Sequence, residues 1–102
     1  MATRNLSIMF TDIKGFTQRT SASSREAMKA LLAHHERLLV PVFSHFAGTV
    51  VKTIGDAFLV HFESPTDAVL CGVTIQEVLR QFNEGKDEEQ RLEVRVAINV
   101  GE

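Results

Sequence analysis

Two aspartates draw attention because each stands beside a glycine where the chain must turn: Asp12 in Thr11-Asp12-Ile13-Lys14-Gly15 and Asp56 in Ile54-Gly55-Asp56-Ala57. Taken singly, an acid in such a place is a turn former that bonds its own backbone. Two carboxylates forced together would repel, and one would tend to stay protonated unless a cation lay between them. A hard divalent ion with oxygen ligands removes that cost, and Mg²⁺ commonly takes one or two carboxylates together with the phosphates of a substrate. The pair is therefore suited to metal-assisted chemistry on a polyphosphate. Gly15 and Gly55 would let the backbone come close to such a bulky ligand.

Whether the two acids meet depends on the elements that carry them. In the run Leu6 to Asp12, residues Leu6, Ile8 and Phe10 share one face and Ser7 and Thr11 the other, the period of a strand, which Lys14-Gly15 then breaks. Ser23-Ser24-Arg25-Glu26 has the spacing of a capping box with Ser23 as the cap, so a helix starts there. Its apolar stripe is Met28, Leu31, Leu32, Leu38, Leu39, Val42, Phe43 and Phe46. Pro41 lies inside that stripe and predicts a kink or a break near Leu38 to Pro41, with Gly48 ending the helix. Thr49 to Ile54 and Ala57 to Phe62 are β-rich runs joined only by Gly55-Asp56, which suits a tight hairpin turn. Ser64-Pro65-Thr66-Asp67 reads as a cap, a first helical residue and an acid near the positive helix end. That second helix carries Ala68, Gly72, Ile75, Leu79 and Phe82 on one stripe; the polar stretch 83–90 reads as a solvated loop, and Leu92, Val94, Val96, Ile98 and Val100 alternate along a last strand.

The order is β-α-β-β-α-β, an α+β, ferredoxin-like arrangement: an antiparallel sheet with both helices on one face, the first and third strands adjacent at its centre and the second and fourth at its edges. Antiparallel neighbours bring the end of one strand beside the start of the other. Asp12 should therefore lie near Asp56.

Composition narrows the function classes. The 102 residues suit one domain, and 44% apolar with 24% charged residues is ordinary for a globular chain. No apolar run approaches the roughly 20 residues that span a bilayer, so no transmembrane segment is expected, and the N-terminus lacks the apolar stretch of a signal peptide, which points to a cytoplasmic location. A formal charge of −2 from mixed signs excludes the basic footprint of a nucleic-acid binder. Cys71, in an apolar helical stretch, reads as a buried thiol. His34, His35, His45 and His61 lack the spacing of metal ligands, and Asp87-Glu88-Glu89 reads as solvated.

Ser7-Ile8-Met9-Phe10-Thr11-Asp12-Ile13-Lys14-Gly15-Phe16-Thr17 resembles the first signature of the class III adenylate and guanylate cyclase catalytic domains, and Val51-Lys52-Thr53-Ile54-Gly55-Asp56-Ala57-Phe58 resembles the second. Arg95 to Glu102 is similar to the strand that closes the first half of that domain. The resemblance implies that Asp12 and Asp56 bridge two Mg²⁺ or Mn²⁺ ions, with the Ile13 carbonyl a further ligand, in the two-metal pattern of an in-line displacement. It also implies that the main-chain N–H groups of Lys14, Gly15, Phe16 and Thr17 lie close to the phosphates, as at other strand-to-helix junctions. Lys52 stands where the similar adenylate cyclases carry an adenine-recognising lysine and guanylate cyclases typically a glutamate. ATP is then the expected substrate, because an ammonium donates to adenine N1 whereas guanine N1–H needs an acceptor.

The expected activity is conversion of ATP to 3′,5′-cyclic AMP and pyrophosphate by a homodimer attached to a regulatory domain in a longer parent chain, whose membrane tether, if it has one, lies outside this segment. The chain corresponds to the metal-binding half of the family's domain, so residues 1–102 alone are expected to fold but not to turn over. The alternatives are a guanylate cyclase or a noncatalytic ferredoxin-like binding or dimerisation module, which would need neither aspartate. A diguanylate cyclase would carry a Gly-Gly-Asp/Glu-Glu-Phe hairpin where this chain has Ile-Gly-Asp-Ala.

Overall fold

The computed structural model describes residues 6–16, 18–19 and 23–101. Strand β1 (Leu6–Ile13) leads through a helical turn at Phe16, Gln18 and Arg19 into helix α1 (Arg25–His45); β2 (Thr49–Ile54), β3 (Ala57–Phe62), helix α2 (Pro65–Asn83) and β4 (Val94–Gly101) follow. The strands form one sheet in the order β2-β3-β1-β4, with every pair antiparallel. This is the topology expected from the sequence, with β1 and β3 central.

Both helices lie on one face. Met9 and Ile13 of β1, Phe58, Val60 and Phe62 of β3, Leu39 and Phe43 of α1, and Cys71, Ile75 and Leu79 of α2 form a single buried core. The face of β1 that enters it is the opposite of the one its apolar residues suggest: Ser7, Met9, Thr11 and Ile13 are buried, whereas Phe10, alternating with them, is 41% exposed on the uncovered face. Small polar side chains thus occupy two of the core positions of β1. Their cost is visible in the Ser7 and Thr11 hydroxyls, which are buried without a hydrogen-bond partner among the described residues.

Helix α1 begins one residue later than the capping-box reading places it. Ser24, not Ser23, accepts the Ala27 N–H at 3.1 Å. The helix also runs unbroken through Pro41, which is exposed. The backbone bond that proline removes therefore falls on the solvent side, where water can take the freed carbonyl. Nor does Gly48 supply the left-handed residue at the helix end. Ala47 does, at φ 59°, with its N–H donating to the Ser44 carbonyl and the Gly48 N–H donating to the Phe43 carbonyl, which together make a complete Schellman motif. Gly48 is needed for a different reason: a Cβ there would lie 2.7 Å from the Phe62 ring.

Opposite effects are expected at these neighbours. Ala47→Gly relieves the left-handed strain and should stabilise the fold by about 0.5–1 kcal/mol. Gly48→Ala should destabilise it by about 1–3 kcal/mol through overpacking of the core. Urea denaturation of both variants measures the two signs.

Ser64 caps α2 by accepting the Asp67 N–H, with Pro65 at its first turn. At the far end Asn83, read from sequence as loop, is helical and bonds the Leu92 backbone twice, through its Oδ1 at 2.7 Å and its Nδ2 at 2.8 Å. The polar side chain thus fastens α2 to the start of β4. Cys71 is fully buried, and burial pushes its thiol pKa up to about 11, so it is an inert core residue.

Candidate active site

Asp12 ends β1 on the sheet face that the helices leave uncovered, where the β1–β4 register sets it opposite Arg95. The Arg95 guanidinium grips it with both prongs, Nε donating to Oδ1 at 2.8 Å and Nη2 to Oδ2 at 3.0 Å. This hydrogen-bonded carboxylate holds Arg95 still more firmly in its charged form.

Asp56 reaches the same place from the hairpin between β2 and β3. Gly55 alone takes a positive φ, 58°, the pattern of a II′ turn, and a Cβ there would meet nothing. Backbone freedom is thus its requirement. The turn aims Asp56 back at β1, where its Oδ2 accepts the Ile13 N–H at 2.9 Å and ties the hairpin tip to the strand end. Asp12, Ile13, Gly15, Phe16, Asp56 and Arg95 together line a cleft of about 410 Å³.

The other sequence-predicted residues are distributed around this cleft. The Lys14 N–H is already committed to the Glu93 carbonyl at 2.8 Å, and its ammonium pairs with the Glu93 carboxylate at 3.3 Å, so neither group points into the carboxylate cleft. Thr17 lies outside the described residues. Lys52, exposed on β2, faces Leu59 of β3, which in turn faces Phe10 of β1 and then Ala97 of β4. These four form one row across the uncovered face, and strand geometry sets Lys52 at ~12 Å from Asp12. Between the ammonium and the carboxylates lies the apolar surface of Leu59 and Phe10.

A larger neighbouring cleft of about 640 Å³ is lined by Lys14, Arg19, Glu88, Glu89, Arg91 and Glu93 among others. Its charges have both signs and are partly spent on each other, with Lys14 on Glu93 and Arg19 on the Arg91 carbonyl. It offers no concentrated field to a ligand.

Sequence reasoning left the roles of two residues unassigned. Arg95 was detectable, since an edge β4 antiparallel to β1 must put the start of β4 beside the end of β1. His35 was also detectable, because it lies four residues from both Leu31 and Leu39 and so continues the buried stripe of α1. Its ring stacks on Phe58 at 4.9 Å, and its Nε2 is buried without a partner among the described residues.

Burial lowers the His35 pKa from its ordinary 6.5, with the Asp56 carboxylate pulling less strongly the other way. Between the lowered and ordinary values the unfolded chain binds the proton and the folded one does not. The stability contribution of neutral His35 is thus complete above about pH 6.5 and is lost as pH falls toward the folded-state value. His35→Phe keeps the ring and removes the titration. Its stability advantage over the wild type should widen as pH falls from about 7.5 to about 5.5 in thermal melts.

The cleft fits a hard divalent cation. Its side-chain anions are carboxylates, and a guanidinium already occupies Asp12 as a stand-in cation. Among the described residues no group of three or more His, Cys, Asp and Glu could hold a metal ion, so backbone carbonyl, water or phosphate oxygens would have to complete the coordination.

Fold and cleft define a class: an antiparallel ferredoxin-like domain with paired acids at the end of its sheet. Residues 1–102 match the model of the adenylate and guanylate cyclase catalytic domain, and the chain belongs to that family. It is 44% identical over 99 residues to the serine/threonine-protein kinase pkn2 of Myxococcus xanthus, covering 97% of this chain and 12% of that protein. Among solved structures, the guanylyl cyclase Cya2 superposes with a TM-score of 0.81 at 32% identity over 96% of this chain and 54% of that one. The adenylyl cyclase CyaB of P. aeruginosa gives 0.76 at 28% identity over 96% and 56%. The chain thus spans little more than half of these cyclase chains and a small part of the kinase. No helix among the described residues is long and apolar enough to cross a membrane.

Proposed function

We propose that this chain is the metal-binding half of a nucleotide cyclase that converts ATP to 3′,5′-cyclic AMP and pyrophosphate. The observation that supports it most is the convergence of Asp12 and Asp56 on one cleft from two separate sequence motifs. Two Mg²⁺ or Mn²⁺ ions bound by Asp12, Asp56 and the Ile13 carbonyl would supply charge stabilisation to the attacking ribose 3′-oxygen and to the triphosphate. In the reaction the 3′-hydroxyl loses its proton, its oxygen bonds to the α-phosphorus, and the bond to the β,γ-diphosphate breaks to release pyrophosphate.

This chain's own residues bind and orient the substrate. Gly15 and Phe16 border the cleft where the phosphates would lie. Lys52, on the edge strand β2 of the uncovered face, donates to adenine N1. Leu59 and Phe10 between them give a purine ring an apolar floor.

A guanylate cyclase is the second reading, favoured by the likeness to Cya2; Lys52 argues for adenine. The uncovered face, with Phe10 41% exposed, suits a second copy of the domain. A homodimer within a longer, regulated chain would bring the remaining base-selecting and transition-state groups to this cleft, so residues 1–102 alone would bind metal and nucleotide without turning over. Product analysis tests the reading. The full-length protein carrying these residues should convert ATP with Mn²⁺ to equal amounts of pyrophosphate and 3′,5′-cyclic AMP, and release of ADP and phosphate in their place contradicts it.

A further inference from the structure

The contact between Arg95 and Asp12 has a consequence for cation binding, and the argument rests on the reading of Asp12 and Asp56 as cation ligands. Both Asp12 oxygens accept from one planar guanidinium, at 2.8 and 3.0 Å. A divalent ion on the same carboxylate would sit against that guanidinium, cation beside cation, and would have to approach oxygens that each already accept a charged hydrogen bond. The two occupants therefore exclude each other, wholly or in large part.

Which of them is anchored is also visible. The Asp12 side chain is only 25% exposed at the strand end, whereas that of Arg95 is 69% exposed. Asp12 is the hydrogen-bond partner that holds the guanidinium among the described residues. A long, solvated side chain can swing away while the aspartate stays in place. Asp56 is held differently, by the Ile13 N–H, and a neutral donor of that kind does not oppose a cation.

We propose that Arg95 is a built-in counter-ion that closes Asp12 in the metal-free protein and must release it before a divalent cation binds there. Arg95 thereby sets the metal affinity of the nucleotide-free site and keeps it low.

The test is titration of the nucleotide-free chain with Mn²⁺, followed by loss of the free-ion EPR signal, for the wild type, Arg95→Gln, Arg95→Lys and Asp12→Asn. Removing the competitor should tighten Mn²⁺ binding in Arg95→Gln by about threefold to tenfold at about 0.1 M salt, the range for an exposed but bidentate ion pair. Arg95→Lys keeps the charge and loses the fork, so it should fall between the wild type and Arg95→Gln.

Unchanged or weaker binding by Arg95→Gln overturns the proposal, the second result meaning that Arg95 positions Asp12 for metal. Arg95→Lys behaving as wild type overturns the contact mechanism, because bulk charge alone would then account for the effect. Wild-type binding that Asp12→Asn does not weaken overturns the metal-site reading and this proposal with it. Arg95 is exposed, and circular dichroism on the same samples verifies that each variant is folded.

Discussion

Asp12→Asn and Asp56→Asn should each lower turnover of the full-length protein by on the order of a hundredfold or more, since under the proposed two-metal reading each would remove a charge worth several kcal/mol to the transition state. Their effects on the fold should differ in kind from that loss. Asparagine at position 56 keeps an oxygen that can accept the Ile13 N–H, so the tie between hairpin and strand end survives. At position 12 the change breaks the ion pair with Arg95, whose side chain is 69% exposed, and so solvated a pair contributes little to stability. Steady-state kinetics beside urea denaturation should therefore show large catalytic losses with small stability losses. A loss of activity that only tracks unfolding would assign the acids a structural role.

Lys52→Glu should shift the ratio of kcat/KM for ATP over GTP by about 10- to 100-fold toward GTP, the scale of one hydrogen bond to a charged group gained by one purine and lost by the other. The ammonium can only donate, which matches adenine N1; the carboxylate can only accept, which matches guanine N1–H and its amino group. Lys52 is exposed on the edge strand β2, so the fold has little stake in the substitution. Full reversal is not expected, because a second base contact would come from outside these residues. An unmoved ratio would mark Lys52 as a surface residue of β2 and leave the choice of purine without a carrier in this chain.

The topology was legible because each element announces itself by period and by its stops. Thr49–Ile54 and Ala57–Phe62 are bounded by Gly48, the Gly55-Asp56 turn and Ser64-Pro65, which leave little freedom in the assignment. The meeting of Asp12 and Asp56 then follows from strand order alone. What was not legible depends on which face is covered. Leu6, Ile8 and Phe10 are the more apolar side of β1, yet the helices cover Ser7, Met9 and Thr11. Apolar pattern reports burial only when one face is reserved for water, and here the uncovered face is itself suited to a partner. Fine details failed where three-dimensional packing overrode a local rule: Ala47 takes the left-handed position because Gly48 is required against Phe62. The place of Arg95 opposite Asp12 follows from the order of β1 and β4, as the meeting of the two acids does, and alternation along β4 taken alone does not reveal it.

The central claim is that Asp12 and Asp56 form one cation site at the end of the sheet, and paramagnetic broadening locates such a site without any need for turnover. Mn²⁺ added at substoichiometric amounts to ¹⁵N-labelled chain should selectively broaden the amide signals of Asp12, Ile13, Gly15 and Asp56 over those of Gly48 and Ser64, which adjoin the opposite end of the sheet, and Asp56→Asn should greatly weaken the effect. Uniform broadening, or broadening centred on the acidic turn at Glu88 and Glu89 and left intact in Asp56→Asn, would contradict the account.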